Sequence, residues 1–77
     1  MAMPERDEWH QKVSGIIKAE LKRRNMTYKQ LVDRLVELGV HESERNIANK
    51  LSRGGFTAVF FVQCLVAMGV STVRLDD

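Results

Sequence analysis

Cysteine is almost missing from this 77-residue chain: Cys64 stands alone, so it cannot close an intrachain disulfide, and no cysteine pair exists at zinc-site spacing. It falls in the most apolar stretch, where an unpaired thiol packs like a small hydrophobe, and it is expected in the core. Proline occurs once, as Pro4, and glycine five times, which excludes fibrous and disordered classes. No uninterrupted apolar run approaches the ~18 residues that span a bilayer. The opening MAMPERDEW lacks the apolar segment of a secretory signal, so a soluble, cytoplasmic protein is expected. No stretch alternates with period two strongly enough to be a strand.

Catalytic arrangements are missing too. There is no Ser-His-Asp or Cys-His set, no phosphate loop of P-loop type and no pair of carboxylates suited to acid/base work. His41, Glu42 and Glu44 form the one cluster of metal-ligand types, with His10 distant in sequence. The expectation is a protein that is not an enzyme and needs neither metal nor cofactor.

What is present suits one small globular domain over residues 1–77: 44% of residues are hydrophobic and 29% charged, on a chain long enough for one core and too short for two. The net charge of +2 favours a polyanionic partner only slightly, so the placement of the charges carries more information than their sum.

Helices announce themselves by their ends. Thr27 followed by Gln30 fits a capping box, and Met26 with Leu31 has the spacing of a hydrophobic staple; Phe56 and Phe61 repeat that spacing around Thr57. Gly39, Gly54 and Gly69 each follow a helical run, where glycine accepts the left-handed closing conformation. Helices are therefore predicted at about 5–24, 28–38, 44–53 and 58–68, with a short turn near Ser71 to Leu75. Pro4 suits the first turn, where Glu5, Asp7 and Glu8 complement the helix dipole; residues 1–8 form that turn or a frayed, solvated start. The first helix carries an apolar stripe of Trp9, Val13, Ile16, Ile17 and Leu21, and the second one of Leu31, Leu35 and Leu38. Gly15 inside the first helix marks either a close neighbour or a tolerated weakness costing about 1 kcal/mol.

The third helix, ERNIANKLSR, has its sizeable apolar residues, Ile47 and Leu51, on one face beside Ala48. The opposite side gathers Arg45, Asn46, Asn49, Lys50 and Arg53, with no acid among them. Arginine and lysine pair with guanine edges, asparagine bonds bidentately to adenine, and cations neutralise phosphates. Arg45, Asn46, Asn49 and Lys50 are the expected base readers and Arg53 the phosphate anchor, assisted by Arg24 and Lys29. Two glycines after Arg53 leave the backbone open to a phosphate.

The segments KAELKRRNMTYKQLVDRL, SERNIANKLSRG and LVAMGVSTVRL, in that order, resemble the lambda-repressor-like (Cro, XRE-type) helix-turn-helix domains over about residues 13–75. The resemblance implies an all-α domain of four to five helices, duplex DNA as partner and transcriptional regulation as role, with residues 44–53 lying in the major groove. The stretch from Leu31 to Ile47 is longer than that family's tight connection, and Tyr28 stands where the family usually has glutamine; its hydroxyl is expected to take over that residue's phosphate contact. The string NIANKLSRGGFTAVFF is also similar to a group of small bacterial proteins of unknown function.

The fourth helix, AVFFVQCLVAM, is apolar almost all round. Three neighbours in so small a domain leave part of it bare, and Val59, Phe60, Val62 and Val66 are expected to form a homodimer interface that presents two reading helices to successive grooves. The alternative is a protein-interaction module that docks a partner on this helix without binding DNA.

Overall fold

In a computed structural model, residues 3–75 are described, with side chains from Glu8 onward; the expected dipole partners Glu5 and Asp7 therefore lie outside the described side chains. The chain forms α1 (Met3–Arg23), α2 (Tyr28–Glu37), α3 (Glu44–Arg53) and α4 (Ala58–Met68), and no strand occurs among the described residues. The expected turn at residues 71–75 is not regular structure; this segment runs back along α1 as an extended tail beside Ile16 and Ala19.

Three hydroxyls start three helices. Thr27 Oγ1 accepts from the Gln30 amide at 3.1 Å while the Thr27 amide donates to Gln30 Oε1 at 2.8 Å, completing the capping box. Ser43 caps α3 through the Asn46 amide at 3.0 Å, and Thr57 caps α4 through the Phe60 amide at 3.1 Å. Behind Thr57 the Phe56 and Phe61 rings stack with centroids 6.4 Å apart, the staple that their spacing indicates. At the other ends, Met26 N–H reaches Leu21 O, Val40 N–H reaches Leu35 O and Val70 N–H reaches Leu65 O at 2.8–2.9 Å, the six-to-one bonds of Schellman closures. Asn25, with φ 54°, does for α1 what glycine does for the others.

α1 and α2 each pack on both α3 and α4, and the core fills the space between them: Ile17 and Leu21, Leu31 and Leu35, Ile47 and Leu51, and Phe60, Cys64, Leu65, Ala67 and Met68. Two guanidiniums tie the bundle at the end of α4. Arg24 Nε donates to Met68 O at 3.0 Å and Arg34 Nη1 to Ala67 O at 3.4 Å, supplying cations to a carbonyl-rich helix end.

Two ends of the expected stripes fall outside the core. Trp9 is 63% exposed, because α1 at 21 residues is about twice as long as its partners and its first turns overhang them. Leu38 is 47% exposed, because it follows the last residue of α2 and the chain is already turning into Gly39. Gly15 meets nothing within 4 Å, so no neighbour requires it. The close approach occurs at Gly54 instead, where an added Cβ would lie 2.4 Å from the His10 carbonyl oxygen.

Among the described residues no single helix is long and apolar enough to cross a membrane.

Candidate nucleic-acid interface

α3 is held by its two fully buried residues, Ile47 and Leu51, one turn apart. With 3.6 residues per turn, that burial directs Arg45, Asn49 and Arg53 outward as a straight row about 12 Å long, flanked by Asn46 and Ser52. All five are exposed, and none of their side chains bonds another described residue. Ser52 belongs to this face although its small side chain drew no notice in the sequence; its position one residue past Leu51 was the available signal. Four of the five expected α3 residues are thus together: Arg45, Asn46, Asn49 and Arg53.

Lys50 is not with them. Its Nζ lies 2.7 Å from Glu42 Oε2 and 4.4 Å from the centre of the Phe60 ring. One residue on from Asn49 is about 100° round the helix, which turns Lys50 toward the α2–α3 loop and α4. The long connection between α2 and α3 explains the pairing, because its last residues return along α3 and lay Glu42 beside Lys50. Of the acids that flank the reading face in sequence (Glu37, Glu42 and Glu44), Glu42 is thereby neutralised by its own lysine, and Glu44 occupies the first turn of α3, where a carboxylate complements the dipole.

The same corner includes Cys64, which is fully buried. Burial pushes its thiol up to about 12; the Glu42 carboxylate adds to the rise and the Lys50 ammonium opposes it.

The remaining expected phosphate contacts lie on α1 and α2. Arg24 is engaged twice, with Glu20 and with the Met68 carbonyl. Lys29 is exposed, 3.9 Å from Asp33. Tyr28 is half-buried against the core, so only part of it faces solvent. Arg53 has a different neighbourhood, beside Gly55, Phe56 and Thr57 on one side and beside α1 on the other.

On α4 the bare surface is narrower than expected. Val59, Val62 and Val66 are 65%, 53% and 55% exposed and share one side of the helix, but Phe60 is only 3% exposed. Phe60 repeats with Cys64 and Ala67 at i, i+4 and i+7 and so points into the core, where Phe56 meets its ring edge-on at 5.2 Å. It is therefore removed from the expected dimer surface.

The chain belongs to the family described as Domain of unknown function (DUF6471), whose model matches residues 9–73. No curated protein and no solved structure matches it significantly.

Proposed function

We propose that this chain is a sequence-specific duplex DNA-binding domain of lambda-repressor-like type, acting in transcriptional regulation with α3 in the major groove. The observation that carries the reading is the outward row of α3: two arginines, two asparagines and a serine, exposed together, free of acids and uncommitted to other described side chains. A face built only to be soluble has no need to leave five donors unpaired on one side of a ten-residue helix, whereas base edges and phosphates require such groups. In this reading Arg45, Asn46 and Asn49 contact bases, Arg53 anchors on a phosphate, and Lys50 holds the loop in place. Two copies meet through Val59, Val62 and Val66 and carry two α3 helices to the DNA.

The exposed valine row also favours a second reading, in which α4 docks another protein and α3 is only a scaffold. Selection from random duplexes separates the two. The DNA reading expects an enriched motif, relaxed at one position by Asn49→Ala, whereas Arg53→Ala weakens all sequences alike. Failure to enrich any motif at low salt would favour the docking account.

A further inference from the structure

Beside the end of α3 lies a cleft that the base-reading account touches only at its rim, through Ser52 and Arg53. His10, Gln11, Ser14 and Lys18 of α1 face Ser52 and Arg53 across about 120 Å³, and among the described residues no carboxylate lines it. Space of this kind needs about 10–15 Å³ to hold one water, so a tetrahedral oxyanion fits. Gly15 on the same wall has no side chain to fill it.

The donors are uncommitted. Ser14 is 4% exposed and its hydroxyl has no hydrogen-bond partner. A helical serine ordinarily returns its proton to the carbonyl four residues back; here that carbonyl belongs to His10, the group against which Gly54 packs, and Ser14 does not bond it. A buried hydroxyl left in that state is destabilising, and an acceptor in the cleft would remove that cost. The other polar side chains here have no partner among the described residues, and two of them, Lys18 and Arg53, are cations.

We infer that the cleft between α1 and the C-terminal turn of α3 is a phosphate-binding site, with Lys18 and Arg53 supplying charge and Ser14 and Ser52 supplying hydroxyl donors. The ligand is a phosphate group, either a phosphodiester of nucleic acid or free phosphate. Where it is a phosphodiester, the site extends the proposed DNA surface from α3 onto α1 and rests on that reading.

The test is an amide NMR titration of the full chain with inorganic phosphate, matched against chloride at equal ionic strength, followed by duplex-binding measurements. Saturable shifts confined to residues 10–18 and 51–54 are expected with phosphate and not with chloride. Lys18→Gln should weaken the effect about tenfold, the loss of one charge-assisted bond. Ser14→Ala should weaken it severalfold while leaving the fold intact, since it only deletes an unpaired hydroxyl; a purely long-range charge effect would not respond to it. Phosphate binding without duplex binding supports the cleft with free phosphate as ligand and overturns the DNA reading. Duplex binding weakened by both variants, without response to free phosphate, assigns the site to a phosphodiester. Shifts equal to those in chloride, with duplex affinity unchanged by either variant, overturn the cleft and leave the α3 reading standing.

Discussion

Gly54 and His10 are in backbone contact across the α1–α3 interface: a Cβ on Gly54 would stand 2.4 Å from the His10 carbonyl oxygen, and Gly54 itself adopts φ 73°. Both features demand glycine. The left-handed conformation costs an alanine about 1–2 kcal/mol, and forcing atoms into a packed contact costs about 1–3 kcal/mol more. Gly54→Ala is therefore expected to destabilise the domain by about 2–5 kcal/mol, read from urea unfolding. Gly15→Ala is expected to stabilise it by up to about 1 kcal/mol, because Gly15 is helical, exposed and without neighbours. Equal effects at the two positions would mean that the α1–α3 contact is looser than described.

Lys50 is expected to behave as a structural residue. Its ammonium serves the Glu42 carboxylate and the Phe60 ring at once; the pair is part-buried, an ion pair near the surface is worth about 0.2–1 kcal/mol and a cation–π contact about 0.5–1 kcal/mol. Lys50→Gln should cost about 1–2 kcal/mol in a denaturant melt. Lys29→Gln should stay within about 0.5 kcal/mol, since its pairing with Asp33 is long and solvated. A Lys50 variant of full stability but altered sequence preference would return this residue to the base-reading set.

The elements were legible because their ends are chemically marked. Thr27 with Gln30, the Phe56–Phe61 staple and the three helix-closing glycines place boundaries without reference to tertiary contacts. Asn25 closes α1 in the same way, but asparagine is a weaker signal than glycine and its role emerges only from its φ of 54°. The site was partly legible: Ile47 and Leu51 set the phase of α3, hence Arg45, Asn46, Asn49 and Arg53 face outward. The place of Lys50 was not, because it depends on where a six-residue connection brings Glu42, and no local pattern encodes that. Phe60 was misjudged for a related reason. An all-apolar helix has no polar side to give its phase, so which residues face inward is decided by the neighbours.

Cys64 gives the domain a signature in alkali. Its thiol is raised to about 12 in the folded chain, from the ordinary value of 9.0 that applies when it is unfolded. As pH rises between these values the unfolded state loses the proton and the folded state retains it, so the contribution is intact below the unfolded value and declines by up to about 1.4 kcal/mol per pH unit above it. The comparison is the alkaline stability of the wild type against Cys64→Ala, which should show the shallower decline. Native Cys64 should also resist thiol reagents near pH 8 until the protein is unfolded.

The valine row on α4 is tested by self-association. Val62→Lys is expected to leave monomer stability within about 0.5 kcal/mol, as for most exposed substitutions, and to abolish any dimer seen in sedimentation equilibrium. Wild-type protein that remains monomeric at high micromolar concentration would remove the dimer from the proposal and leave the α3 face to be judged alone.

Fluorescence anisotropy of a labelled duplex, titrated with protein over a range of salt concentrations, bears most directly on the central claim that α3 is a DNA-contacting surface. For about five neutralised phosphates the slope of log K against log salt should lie near −4 to −5. Replacing Arg45 and Arg53 together by alanine should reduce its magnitude by about one, for the phosphate that Arg53 no longer neutralises, and weaken binding further through the lost base contact of Arg45. No binding at about 50 mM salt, or a slope indifferent to the removal of both arginines, would contradict the claim.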